Sequence, residues 1–364
     1  MPVTLESVMD ALGQVIDPEI RRPITDLNMV TPDLVTIDGS SVAVKVLLTT
    51  AGCPLRTQIT NDVKERVGAL DGVENVSVEM GVMDEAQKKA LREKLNGGRP
   101  EREIPFSRPN SLTRVIAVTS GKGGVGKSSV TANLAATFAA LGFDTAAIDA
   151  DIYGFSLPRL FGVHTQPTNL NGMLMPVTAW GVKLISIGMF AGADRAILWR
   201  GPRLQRSLEQ FLSDVWWGEP DVLLLDLAPG TGDMAISVAQ ALPNAELVVV
   251  TTPQPSASDI AVRSGLVALQ VPMKVRGVVE NMSYYEHKGE KLEIFGAGGG
   301  QRVSEQLTQA LGYDVPLMAQ LPLEPEVRET GEAGRPAVLD ADGALRTDGI
   351  GQTFRGLAER LLAV

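Results

Sequence analysis

The sequence predicts an α/β protein, a mostly parallel sheet covered by helices on both faces and preceded by a smaller α/β unit. Three observations carry that prediction. From Leu112 onward, strongly apolar runs alternate with helical stretches, as expected of parallel strands buried on both sides. The first of these runs enters a glycine-rich loop that opens directly into a helix. Upstream, the segment from Asn96-Gly97-Gly98-Arg99-Pro100 through Pro105 and Pro109 has no period and reads as a linker. The expected division is therefore residues 1–95, a linker over 96–111, and residues 112–364.

In the first unit, Leu5, Val8, Met9, Leu12, Val15 and Ile16 fall at helical spacing, and Asp17-Pro18-Glu19 ends the helix. Apolar runs at residues 34–37 and 42–48 flank Asp38-Gly39-Ser40-Ser41, a hairpin signal. A helix over 54–70, a third strand over 73–80 and a short charged helix over 84–95 follow. In the second unit, strands are expected over 114–118, 145–148, 182–187, 222–225, 247–250, 275–279 and 317–321. Right-handed crossovers place a ligand crevice at the carboxyl ends of such strands. No internal repeat or low-complexity segment interrupts the pattern.

Composition narrows the function classes. The 364-residue chain has a formal charge of −10, which disfavours unassisted binding to nucleic acid or an anionic membrane. No apolar run approaches a membrane span, and the start Met1-Pro2-Val3-Thr4-Leu5-Glu6 is not a basic segment followed by an apolar one, so the cytoplasm is the expected location. The single cysteine, Cys53, rules out an intrachain disulfide framework and leaves any metal–sulfur site short of thiolates within one chain.

Gly121-Lys122-Gly123-Gly124-Val125-Gly126-Lys127-Ser128 is a phosphate-binding P-loop with a second lysine near its start. Its backbone N–H groups would cradle phosphate oxygens, with Lys127 on the β- and γ-phosphates and Ser128 on Mg²⁺. The helix opening with Ser128 and Ser129 offers the positive end of its dipole to the same charge. Two further strand ends carry aspartates, at Asp149-Ala150-Asp151 and at Asp226. Asp226 matches the acidic residue that holds Mg²⁺ in P-loop proteins, Gly230, Gly232 and Asp233 suit a loop that senses the γ-phosphate, and Asp149, ending the strand over 145–148, is a further switch candidate. Each aspartate alone is also a plausible helix cap. Hydrolysis needs a positioned water and neutralised charge; Asp151 is the candidate for the first task. Lys122 is the candidate for the second, reaching across a symmetric interface as an arginine finger does, which implies an ATP-stabilised homodimer.

The lysine pair marks the deviant Walker A group of P-loop ATPases. Within it the chain resembles the Mrp/ApbC/NBP35 family of iron–sulfur cluster carrier ATPases, in the form with an N-terminal MIP18-like domain. The resemblance rests on Gly121–Ser128, Asp149-Ala150-Asp151 with Gly154 and Ser156, and Trp199-Arg200-Gly201-Pro202. It rests equally on Asp226 through Asp233, Thr251-Thr252-Pro253-Gln254, Glu280-Asn281-Met282-Ser283-Tyr284, and Ile294-Phe295-Gly296 with Gly298-Gly299-Gly300. Ala228 stands where the family usually has a proline. The resemblance implies that Asn281 reads the adenine edge, which suits an amide offering both a donor and an acceptor; a turn-forming asparagine is the alternative.

Family members commonly carry Cys-x-x-Cys after the Asn-Met-Ser-Tyr segment and hold a bridging 4Fe–4S cluster between paired chains. This chain reads Tyr284-Tyr285-Glu286-His287-Lys288-Gly289-Glu290 there, so His287 is the remaining candidate ligand on that loop, with a solvated surface histidine as the alternative. Cys53, in Thr49-Thr50-Ala51-Gly52-Cys53-Pro54-Leu55-Arg56, sits before a helix start with Arg56 nearby, and both features favour thiolate. It matches the MIP18-like motif associated with iron–sulfur maturation, and a small buried hydrophobe is its other reading. The expected function is an ATP-hydrolysing homodimer that binds a cluster transiently and passes it to apo iron–sulfur proteins or assembly factors, without nucleic acid or membrane. The alternative is a cluster-free ATPase switch or scaffold for protein assembly.

Overall fold

Thr4 opens the first helix, α1 (Leu5–Leu12), through a reciprocal cap: its hydroxyl accepts the Ser7 N–H, and its own N–H donates to the Ser7 hydroxyl, both at 3.2 Å. The computed structural model describes residues 3–18, 20–49, 55–96, 104–108, 110–151, 154–170, 172–190, 201–230 and 233–363. Cys53 and Gly232 lie outside the described residues, as do Glu19, Pro54, Trp199, Arg200 and the side chain of Asp233. The chain divides into two units, residues 1–101 with Thr168–Met175, and residues 102–167 with 176–364.

In the first unit, β1 (Val35–Asp38) and β2 (Ser41–Leu48) form the expected hairpin, with Asp38 paired to Ser41 across its two-residue turn. Strand β3 (Asn75–Val82) runs parallel to β2 from Ser41↔Asn75 to Leu48↔Val82. It begins and ends two residues later than the apolar pattern suggests, because the extent of β2 sets where pairing can occur. Helix α2 (Arg56–Gly68) buries Ile59, Val63 and Val67, one stripe at four-residue spacing. Helix α3 (Glu85–Asn96) is opened by Asp84 and Gln87, whose side chains each accept the other's N–H. The antiparallel strands β6 (Thr168–Leu170) and β7 (Met173–Met175) complete the unit; at three residues each they are too short to show a period in sequence.

The second unit is built on an eight-stranded sheet among the described residues, in the order β15-β12-β11-β4-β10-β5-β9-β8. Its strands are β4 (Arg114–Ser120), β5 (Thr145–Ala150), β8 (Val177–Ala179), β9 (Val182–Ser186), β10 (Val222–Leu227), β11 (Glu246–Thr251), β12 (Lys274–Glu280) and β15 (Leu317–Gln320). All neighbours pair parallel except β8, which joins β9 antiparallel at the edge. Helices α4 (Lys127–Ala140), α5 (Leu157–Leu160), α6 (Gly201–Ser213), α7 (Asp233–Ala241), α8 (Pro255–Gly265), α9 (Gly299–Leu311), α10 (Pro325–Glu332) and α11 (Gly349–Leu362) connect and cover it. Helix α4 is buried over every residue from Val130 to Phe138, so its polar members must be satisfied internally. Asn133 does so by donating to the Ser129 carbonyl and accepting the Val338 N–H. No described helix is long and apolar enough to cross a membrane.

The last helix is held by charge. Arg114 donates to the Leu362 carbonyl at 2.8 Å while Glu246 accepts from the same guanidinium at 2.8 and 3.3 Å; Arg276 donates to the Ala363 carbonyl. These cations sit where the α11 dipole is negative. Glu246→Ala is therefore expected to lower unfolding free energy by about 1–3 kcal/mol, the worth of hydrogen bonds to charged groups. Urea denaturation checks it, and an unchanged midpoint would show that the clasp contributes nothing.

Candidate functional site

Strand β4 lies between β11 and β10; the connection from β4 leads to β5 on one side and the connection from β10 leads to β11 on the other, so the strand order reverses here and opens a crevice at the carboxyl ends. The P-loop turns there. Gly124 and Gly126 adopt φ of 84° and 81°, a region where a side chain is strained, and Gly126 is the residue that enters α4. A cavity of about 620 Å³ spans residues 122–130 of the loop and helix, Asp151, Asn281 and Met282, and ends among Leu323, Val327, Ile350 and Phe354. Besides the P-loop residues its lining mixes apolar side chains with Arg159, Glu324, Arg328 and Glu332, a polar and apolar set that suits a ligand with an anionic part and a flat heteroaromatic part.

Asp226 is the electrostatic centre of the site. Its carboxylate is wholly buried at the end of β10. Lys127 Nζ donates to Oδ1 at 2.6 Å and the Ser128 hydroxyl to Oδ2 at 2.6 Å. The Thr131 hydroxyl lies 3.0 Å from both Oδ1 and the Lys127 carbonyl. Thr131 lies outside the Gly121–Ser128 motif, although its spacing of four from Lys127 on a helix puts both on one face. The hydroxyl and carboxylate of Ser128 and Asp226 are hard oxygen donors already in contact, a set that fits Mg²⁺.

Asp149 faces Asp226 across the β5–β10 register. Burial, and then the charge of Asp226, push its carboxyl up to about 8, against the pull of the Leu157 and Ser156 N–H groups and of Lys127. Its Oδ2 accepts from Ser156 N, Leu157 N and the Ser186 hydroxyl at 2.9, 3.1 and 3.2 Å, and its Oδ1 from Asp151 N at 3.2 Å. The capping alternative is thus realised here: Asp149 ties β5 to α5 and β9. Asp151 accepts the Gly154 N–H at 3.0 Å while lining the cavity. Gly230, at φ 117°, donates its N–H to the Ser120 carbonyl at 2.8 Å, which puts the loop after β10 against the start of the P-loop.

Two expected ligand contacts are seen making contacts within the chain. Asn281 donates its amide to the Val125 carbonyl at 2.9 Å, tethering the P-loop to the end of β12. Lys122 donates to the Ser256 hydroxyl at 3.1 Å, at the first turn of α8. Both residues nevertheless border the cavity.

Residues 111–361 match the family described as NUBPL iron-transfer P-loop NTPase. The chain belongs to that family. Residues 5–80 match a second family, described as iron–sulfur cluster assembly protein. Over 360 residues the chain is 50% identical to a Mycobacterium tuberculosis (strain H37Rv) protein named iron–sulfur cluster carrier protein, covering 97% of this chain and 94% of that one. A Bacillus subtilis (strain 168) protein of the same name is 35% identical over 358 residues, covering 98% and 97%. Among solved structures, a nucleotide-binding protein from Archaeoglobus fulgidus in complex with ADP and containing cobalt is 32% identical, with a TM-score of 0.55 over 67% of this chain and 96% of that one.

Beside the NTPase site of this family member, residues 285–292 form a short hairpin, β13 (Tyr285–His287) and β14 (Glu290–Leu292), rather than an open loop. Lys288 and Gly289 both have positive φ, 51° and 82°, as a two-residue turn of the primed type requires. His287 is exposed and stacks on Tyr285 with ring centroids 6.1 Å apart. Adjacent strand residues point to opposite faces, so Glu286 and His287 do not converge on one ion. Among the described residues there is no group of three or more His, Cys, Asp or Glu suited to a metal.

Proposed function

We propose that the chain binds ATP with Mg²⁺ at Gly121–Ser129, hydrolyses it, and works as a cytoplasmic homodimer that carries iron–sulfur clusters to apoproteins. The observation that carries the nucleotide half is the convergence of Lys127, Ser128 and Thr131 on buried Asp226 beside the P-loop amides. Ser128 and Asp226 would hold Mg²⁺, which would supply neutralisation of phosphate charge. Lys127 exchanges its carboxylate partner for phosphate. Asp151 orients the attacking water, and Gly230, released from Ser120, follows the γ-phosphate with Gly232 and Asp233, while Asp149 holds the end of β5 against α5 and β9. Asn281, releasing the Val125 carbonyl, offers its amide to the adenine edge; an unchanged preference for ATP over GTP in Asn281→Ala would remove that role.

Lys122 acts across the dimer in this reading, leaving Ser256 for the partner's phosphates. Lys122→Ala is expected to keep nucleotide binding but lose about 100-fold or more in hydrolysis, together with ATP-dependent dimerisation. Steady-state phosphate release and light scattering measure the two, and a variant that matches the parent in both would end the assignment.

The cargo half is supported by the names of relatives up to 50% identical and by the match of residues 5–80. Its test is anaerobic reconstitution with iron and sulfide, comparing the parent with Cys53→Ala for iron and sulfide per dimer and for transfer to an apo-ferredoxin. Transferable cluster lost with Cys53 supports carriage through that thiol; cluster retained turns attention to His287. A second reading, a cluster-free ATPase switch or scaffold, is favoured by the single cysteine and by a hairpin at 285–292 without thiols. It predicts background iron beside intact ATP hydrolysis.

A further inference from the structure

Strand β12 ends in a turn with the P-loop on one side and a long excursion of the chain on the other. Asn281 makes the P-loop contact through the Val125 carbonyl. Glu280, one residue earlier, points the opposite way and is 1% exposed. Its Oε1 accepts the Ser283 hydroxyl at 2.8 Å and the Gln320 amide at 2.9 Å; its Oε2 accepts the Gly300 N–H at 2.5 Å. Ser283 begins the excursion and Gly300 closes it, so one buried side chain pins both ends of residues 284–299. The fit is close: a Cβ on Gly300 would approach Glu280 Cβ to 2.7 Å.

The excursion also returns to the nucleotide site. The chain enters it through Met282, at φ 55°, an unusual value for a residue with a side chain. Its Phe295 lines a second, smaller cavity of about 180 Å³ together with Lys122, Gly123, Gly124, Val125 and Met282. A fully apolar side chain would fill the place of Glu280 without the cost of desolvating a carboxyl group, but it would hold neither Ser283 nor Gly300.

We propose that Glu280 is a positioning residue that couples nucleotide at the P-loop to the placement of the 284–299 excursion. Movement of Val125 on nucleotide binding displaces Asn281; Glu280 moves with it and shifts both ends of the excursion together. This rests on the nucleotide reading above, and the test separates the two. Amide hydrogen exchange is followed in the full chain with and without a non-hydrolysable Mg–ATP analogue. In the parent, nucleotide slows exchange both in residues 121–128 and in residues 284–299. In Glu280→Ala the P-loop effect persists, and the effect on 284–299 falls by about tenfold. Glu280→Gln retains most of it, because the Gln320 amide can flip to meet the new amide. Ser283→Ala, which leaves the buried carboxyl with two donors, carries the test if Glu280→Ala does not fold, with an expected loss of about threefold.

A merely structural role would raise exchange equally in both nucleotide states and leave the nucleotide-dependent difference unchanged, which would overturn the proposal. Protection of the P-loop without protection of 284–299 in the parent would overturn it too, leaving the nucleotide reading intact. An unprotected P-loop would sink both.

Discussion

Lys127→Met is expected to remove nucleotide binding and to destabilise the fold at the same time. Both effects come from one ammonium group. In the structure it lies 2.6 Å from Asp226, with 6% and 0% of the two side chains exposed. Removing the cation leaves a buried carboxylate whose remaining partners are the Ser128 and Thr131 hydroxyls. Breaking one side of such a pair costs about 3–5 kcal/mol, and the two hydroxyls place this case at the lower end. Loss of charge-assisted bonds to phosphate weakens nucleotide affinity by about 100-fold or more. Urea denaturation and calorimetric titration with Mg–ADP measure the two effects separately. Adding Asp226→Asn to Lys127→Met should restore most of the stability, since neither charge then remains buried, while affinity stays low. Affinity that tracked stability in this pair would mean that Lys127 acts only as a structural counter-ion.

How far the site could be read in advance depended on whether its logic was local. The P-loop was legible because strand, glycine loop and helix are contiguous, and Asp226 because it closes an apolar run of residues 222–225. The direct ion pair between Lys127 and Asp226 was not, since 99 positions separate them and only the pairing of β4 with β10 brings them together. Asp149 shows a different limit. A carboxylate at a strand end signals either a sensor or a cap, and only the Ser156 and Leu157 N–H groups reveal the capping work. The 285–292 hairpin was hidden for a third reason. Apart from Tyr285, its strand residues are exposed on both faces, so no alternation marks them, and its turn uses Lys-Gly rather than the stronger Asn-Gly signal. The parallel core strands were plain in sequence because burial on both faces makes them continuously apolar. Their order still had to come from the structure.

Gly126→Ala isolates how the P-loop keeps its shape. Two separate costs meet at this position. The backbone has φ 81°, where alanine costs about 1–2 kcal/mol. The added Cβ would also lie 2.2 Å from the Asn281 Nδ2, so Asn281 must leave and its bond to the Val125 carbonyl breaks, at about 1 kcal/mol more. The expected result is a lower denaturation midpoint and a loss of about tenfold or more in nucleotide affinity, because the loop amides no longer converge. Adding Asn281→Ala to Gly126→Ala removes the collision but neither the dihedral strain nor the lost tether. The double variant should therefore regain stability only in part and affinity hardly at all. If Gly126→Ala bound nucleotide as the parent does, the left-handed entry to α4 would be incidental. If the double variant recovered fully, steric conflict alone would explain the defect, and the tether from Asn281 would have no part in shaping the loop 156 positions away.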